Sequence, residues 1–167
     1  MPRRWIPNTL TVINLFGGIV AILLTFVQQW ALAVALIFGA ALFDSLDGRI
    51  ARRLNVTTEF GKQLDSLADL VSFGVAPATL AYLLVFSHTG WSGYLLTAVF
   101  PVCGALRLAR FNISSVKGYY VGLPITVAGP MLAACAFFAQ MLPVAAQALI
   151  LLLLSGLMIS TVKVPKM

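Results

Sequence analysis

All eleven lysines and arginines of this 167-residue chain fall into four short clusters, and the intervals between the clusters are almost wholly apolar. The clusters are Arg3 and Arg4; Arg49, Arg52, Arg53 and Lys62; Arg107, Arg110 and Lys117; and Lys163 and Lys166. Each interval is long enough for two helical crossings of a bilayer, at about 20 residues apiece. Two crossings return a chain to the side it left. The clusters therefore share one side, and by the bias of basic residues toward the cytoplasm that side is cytoplasmic. Composition agrees: 60% of residues are hydrophobic and 10% are charged, where a soluble domain carries about 25% charged residues.

The pattern predicts an all-α, polytopic membrane protein with six transmembrane helices and cytoplasmic N- and C-termini. The apolar segments are roughly 10–28, 31–52, 60–86, 93–111, 122–141 and 144–161. A single transmembrane domain over 1–167 is expected, with no room for a soluble module. No small-residue cleavage site closes a short apolar region near the N-terminus, so a cleaved signal peptide is not expected. Trp30 and Trp91 suit the membrane interface. The third segment is about 40 Å long as a helix. A cap at Thr57 or Thr58 is expected to start it, with Glu59 in its first turn and a kink near Pro77. Cys103 and Cys135 lack metal-ligand spacing and read as packing residues. His88, in the charge-free loop Ser87-His88-Thr89-Gly90, reads as solvated. The net charge of +6 reports topology and anionic lipid headgroups, not nucleic acid.

Against this background the acids stand out. Four of the five acidic residues are Asp44 and Asp47, near the end of segment two, and Asp65 and Asp69, early in segment three. A carboxylate inside a membrane span costs roughly 2.5–3.5 kcal/mol, so such residues read as functional. Asp44, Asp47 and Ala51 share one helix face, and Asp65 and Asp69 are one turn apart. A short reversal joins the two segments as antiparallel neighbours whose acidic faces can meet. Gly48, Ala51 and Gly61 are small enough to let backbones or a flat ligand approach. Four carboxylates in a small volume need protons or cations to neutralise them. Oxygen-only ligands suit Mg²⁺ or Mn²⁺. Such an ion beside arginines is equipment for phosphate chemistry. Salt bridges to Arg49, Arg52 and Arg53 are one alternative. A proton or cation relay in a coupled transporter is another, but a relay favours acids spread across membrane depth.

The pattern Asp44-x-x-Asp47-Gly48-x-x-Ala51-Arg52, eight residues, Gly61-x-x-x-Asp65-x-x-x-Asp69 resembles the signature of the CDP-alcohol phosphotransferases at every fixed position. The resemblance covers most of the chain. Pro7-Asn8-Thr9-Leu10-Thr11 with Asn14-Leu15-Phe16 looks like the start of the family's first helix. The stretch from Leu64 to Pro77, Arg107-Leu-Ala-Arg-Phe-Asn112, Gly122-Leu-Pro124 and Met158 to Pro165 look like the phosphatidylserine synthase branch. The chain departs from that branch at Ile125-Thr126, where many relatives carry a further proline.

The resemblance implies a homodimeric membrane enzyme, binding no nucleic acid, that moves a phosphatidyl group from CDP-diacylglycerol to an alcohol and releases CMP. It implies two divalent ions per active site, Mg²⁺ or Mn²⁺, held by Asp44, Asp47, Asp65 and Asp69, with Asp69 also the general base. It places Gly48, Ala51, Arg52 and Gly61 along the nucleotide. The branch implies L-serine as acceptor; glycerol 3-phosphate or inositol phosphate would change only a few acceptor-site residues. Physical chemistry asks for the same parts, since an alcohol needs a base within hydrogen-bond reach and the rest is positioning and charge stabilisation. For the carboxylate of serine, Arg107 and Arg110 are one turn apart and can face the acids, or can be topology anchors; Asn112 and Lys117 are weaker candidates of that kind. Asn8, Thr11 and Asn14 lie on one side of the first helix and either contact diphosphate or cytidine or satisfy backbone groups. The lipid tails would stay in the bilayer while the head groups react at the cytoplasmic rim. A cysteine introduced beside Lys166 is expected to react with a membrane-impermeant thiol reagent only from the cytoplasmic face; labelling from outside would overturn the topology.

Overall fold

The structure, a computed structural model, describes residues 5–54, 58–113, 119–138, 141–160 and 163–165; of the side chains in 5–7, 46–54, 119–121 and 163–165 nothing is said. Among the described residues, six helical rods make up the fold. Helix α1 is Trp5–Phe26 and α2 is Trp30–Leu54. The third rod is composite: α3 (Glu59–Asp69), a π-helical turn (Leu70–Val75), α4 (Ala76–Ala81), a second π turn (Tyr82–Phe86) and a 3₁₀ turn (Ser87–Thr89). Helices α5 (Trp91–Ile113), α6 (Ile125–Phe138) and α7 (Val144–Ile159) follow. The rods coincide with the six apolar segments to within a few residues. Three of them, over Asn8–Phe26, Glu59–Thr89 and Trp91–Ile113, are long and apolar enough to cross a membrane; Trp30–Ser45, α6 and α7 are shorter apolar helices.

Local chemistry sets the rod ends. The α1–α2 reversal is tight, with Gln28 in the left-handed region at φ 61°. Thr58 caps α3, its hydroxyl accepting from the Gly61 N–H at 3.0 Å, and Glu59 occupies the first turn as expected. Thr57 lies outside the described residues. Helix α7 ends on carbonyls that find partners: Leu157 O accepts from the Leu123 N–H at 3.0 Å, and Ile159 O accepts from Arg110 Nη1 at 2.8 Å. These are the groups a helix end leaves orphaned.

Two features depart from a plain six-helix reading. Tyr119–Val121 and Lys163–Pro165 form a two-stranded antiparallel ribbon, β1 and β2, pairing Tyr120 with Val164. The disturbance expected at Pro77 takes the form of the π turn that ends just before it. Pro77 has no N–H to offer the Phe73 carbonyl one turn back. That carbonyl instead lies against Gly129 of α6, where even a Cβ would collide with it.

Large apolar side chains on the outside, such as Phe16, Leu23, Phe26, Leu42 and Leu95, face where lipid would be. The interior has two apolar clusters. One gathers Phe73, Phe86, Phe100, Ile125, Leu151 and Met158; the other gathers Ala21, Ala33, Ile37, Ala76, Leu80 and Ala133. The composite rod passes through both. It packs on α1 through Ser72, which fills the space a side chain at Gly18 would need. Small residues at such crossings let dispersion contacts form where lipid removes the hydrophobic drive between helices. Cys103 is buried and Cys135 half-buried, both without a disulfide, and His88 is exposed. Gly129→Ala should destabilise the protein by about 1–3 kcal/mol, because the added methyl meets main chain that cannot swing aside. Gly17→Ala, where nothing lies within 4 Å, should be neutral or stabilising by up to about 1 kcal/mol. Unfolding of both variants in detergent measures the difference.

Candidate active site

Three of the four acids meet, as their spacing allows. Asp44 reaches from α2, and Asp65 and Asp69 from successive turns of α3. One carboxylate oxygen from each lies within 4.8 Å of the others. Asp44 and Asp65 are half-buried, whereas Asp69 is 7% exposed. Two full negative charges at such a distance repel by roughly 3–4 kcal/mol at an effective dielectric of 20. Three such pairs cannot persist without positive charge among them or protonation. Oxygens on opposite sides of a hard cation bound at about 2.1 Å stand about 4.2 Å apart. The trio thus fits such an ion after small side-chain rotations. Asp47 belongs to the same helix, but its side chain lies outside the described residues, as do those of Gly48, Ala51 and Arg52. Lys117 lies outside them altogether.

Helix α1 forms the wall beside the acids. Asn8 and Gly61 are so close that a Cβ on Gly61 would stand 2.9 Å from Asn8 Oδ1 and 3.1 Å from Thr58 Oγ1. Farther along, the Asn14 carbonyl accepts from Ser72 Oγ at 3.0 Å. These two contacts set α1 and α3 side by side in the same direction, with Asp65 and Asp69 between them. Thr11 and Asn14 are buried on this face.

The far wall comes from the end of α5. Asn112 Nδ2 donates to Ser66 Oγ at 3.0 Å, Ser66 Oγ donates to the Lys62 carbonyl at 3.1 Å, and Lys62 Nζ donates to the Asn112 carbonyl at 3.3 Å. This ring of bonds docks α5 on the acid-bearing helix beside Asp65. Arg107 is buried, with its guanidinium carbon 6.0 Å from the centre of the Phe111 ring. Arg110 is exposed and donates to the Ile159 carbonyl at the end of α7. Ser66 and Ser72, each holding the acid-bearing rod to a neighbour, were not singled out by sequence; the only signal was their place one and three residues beyond an aspartate.

A family model described as CDP-alcohol phosphatidyltransferase matches residues 4–162. The chain belongs to that family. It is 40% identical over 162 residues to a protein of Methanocaldococcus jannaschii named CDP-diacylglycerol–serine O-phosphatidyltransferase, covering 96% of this chain and 74% of that protein. Proteins of the same name from Helicobacter pylori and Bacillus subtilis are 39% identical over 137 residues and 38% identical over 135. Each match covers 80% of this chain; it covers 58% of the Helicobacter protein and 76% of the Bacillus one. In this CDP-alcohol phosphatidyltransferase chain, the acid trio, the Asn8–Gly61 contact and the buried Arg107 converge at one end of the bundle. Asp65→Asn should lower Mn²⁺ affinity by at least about 10-fold while the protein keeps its thermal unfolding midpoint, as read by Mn²⁺ titration in detergent; unchanged affinity would sink the assignment of the trio as cation ligands.

Proposed function

We propose that this chain transfers a phosphatidyl group from CDP-diacylglycerol to L-serine, giving phosphatidylserine and CMP. The observation that carries the reading is the convergence of Asp44, Asp65 and Asp69 within 4.8 Å, on a sequence whose relatives bear that enzyme's name. Asp44, Asp47, Asp65 and Asp69 would hold two divalent ions, Mg²⁺ or Mn²⁺. When bound, these supply charge for the diphosphate and for the departing CMP oxygen. The chain's own residues do the rest. Asn8, Thr11, Gly48, Ala51, Arg52 and Gly61 form the nucleotide side, where the missing side chain of Gly61 lets the Asn8 amide stand close against α3. Arg107 is the acceptor-side cation best placed for the carboxylate of serine, while Arg110 ties α5 to α7 and Asn112 ties α5 to α3.

Asp69 takes the proton of the serine hydroxyl as that oxygen bonds to the phosphorus carrying the diacylglycerol, and the bond from that phosphorus to the CMP oxygen breaks. Its burial keeps competing water from the base. A relay function is not favoured, because Asp44, Asp65 and Asp69 meet at one place instead of marking a path. The protein is read as one domain over 1–167, a homodimer in the bilayer with its active site at the cytoplasmic face.

The test is CMP release from CDP-diacylglycerol by purified protein with Mg²⁺ or Mn²⁺, given L-serine, glycerol 3-phosphate or inositol phosphate separately. Release with L-serine alone is expected; release only with another acceptor would reassign the substrate, and none with any would reject the enzyme reading. Asp69→Asn should lose at least ~100-fold in turnover yet still bind CDP-diacylglycerol. Asp44→Asn should weaken that binding itself. Near-normal turnover in Asp69→Asn, or loss of binding equal to that of Asp44→Asn, would remove Asp69 as a distinct base.

A further inference from the structure

Arg107 is buried, and its guanidinium carbon stands over the Phe111 ring, 6.0 Å from the ring centre. The ring itself is 48% exposed. Phe111 follows Arg107 by one turn of α5, and helical side chains lean toward the N-terminus of their own helix, so the ring lies back over the turn that carries the arginine. A cation over an aromatic face is attracted by the electrons of the ring, more strongly where water is scarce. A ring so open adds little to the core, and an aliphatic side chain would cover the same surface without that attraction.

Two contacts bracket Arg107 along the acid-bearing rod. A Cβ on Gly104 would stand 3.9 Å from Leu70 Cδ1, and Asn112 Nδ2 donates to Ser66 Oγ at 3.0 Å. Leu70 directly follows Asp69, and Ser66 directly follows Asp65. Arg107, between Gly104 and Asn112, therefore stands level with the turn of α3 that carries both aspartates. A guanidinium engages a carboxylate through its edge, with two parallel N–H donors, and stacks on a ring through its face, so the two contacts do not compete. A ring against a long side chain also limits its orientations, and a group ordered beforehand loses less on binding.

We propose that Phe111 is a positioning residue for the acceptor, its ring holding the Arg107 guanidinium so that the edge is presented to the carboxylate of a hydroxyl-bearing amino acid. This inference rests on reading Arg107 as the acceptor-side cation. It adds a residue that acts only through Arg107 and leaves the acid trio and the nucleotide side untouched.

The test is CMP release by purified full-length protein in detergent, with Mn²⁺ and CDP-diacylglycerol at saturation and L-serine varied. Phe111→Leu should raise the KM for L-serine about 3- to 30-fold, the span of a cation–π contact between exposed and desolvated settings, and leave kcat and the KM for CDP-diacylglycerol unchanged. Phe111→Trp, which keeps an aromatic face, should hold the wild-type KM. In an Arg107→Gln background, whose own KM for L-serine is raised, Phe111→Leu should add nothing, since the ring acts through the guanidinium. A wild-type KM in Phe111→Leu, an equal rise in Phe111→Trp, or an undiminished rise in the Arg107→Gln background each overturns the proposal and leaves Arg107 as the acceptor-side cation. Phe111→Leu and Phe111→Trp decide the matter by themselves if Arg107→Gln does not fold. A fall in kcat with a rise in both KM values and a lowered unfolding midpoint makes Phe111 a structural residue and also overturns it. A wild-type KM for L-serine in Arg107→Gln alone removes the acceptor reading of Arg107 and this proposal with it. No CMP release by the wild-type protein with L-serine removes the proposed function and this proposal together.

Discussion

The structure depends on placing carboxylates where the surroundings are otherwise hydrocarbon. In lipid every backbone polar group must be satisfied within the chain, which leaves this sequence with helical rods and short, bonded reversals between them. Rods alone would have no reason to gather Asp44, Asp65 and Asp69 within 4.8 Å, since the trio repels itself. The packing around the trio overrides that repulsion. Ser72 bonds the acid-bearing rod to α1 on one side, and the Lys62–Ser66–Asn112 ring bonds it to α5 on the other. The result is a group of charges held together against their own repulsion on a scaffold of close helix crossings, an arrangement that could hold a cation.

The rods were legible because their signal is long and redundant. Twenty apolar residues in a row, bounded by basic clusters, leave little freedom in number or order, and Thr58 with Glu59 marks a helix start in the few residues that do it physically. The ribbon of Tyr119–Val121 and Lys163–Pro165 was not legible. Three residues carry no period, and the two strands are far apart in sequence, so only the finished bundle brings them together. The π turns were hidden for a related reason. Pro77 announces a disturbance, but whether the backbone kinks or widens depends on what the neighbouring helix allows. Here Gly129 of α6 leaves space for the Phe73 carbonyl where a Cβ would collide with it.

The candidate site divides along the same line. The spacing of Asp44, Asp65 and Asp69 set their faces, and the few residues between the two segments made it possible for those faces to meet, as they do. For α5 the spacing of Arg107 and Arg110 also fixed a face, but not which neighbour it turns toward. The two side chains stand in different surroundings: Arg110 is exposed and bonds the carbonyl at the end of α7, while Arg107 is buried over Phe111. Asn112 was legible as a polar residue near the acids; that it serves as a strut to Ser66 required its partner's position. Periodicity reads one helix at a time, and roles that depend on a third helix stay out of its reach.

Burial separates the three described aspartates. Asp44 and Asp65 are half-buried. Asp69 is nearly closed off, and the π turn begins at the very next residue. A π turn adds a residue to the helical repeat and rotates everything after it, a device found often at functional sites. Here it lets Asp69 keep the spacing that joins it to Asp65 while the helix beyond turns Ser72 onto α1. Without that change of register, one face of the rod would have to serve both the carboxylate trio and the close crossing at Gly18. The distortion thus frees the rod to be polar before Leu70 and tightly packed after it, with the buried Asp69 at the boundary.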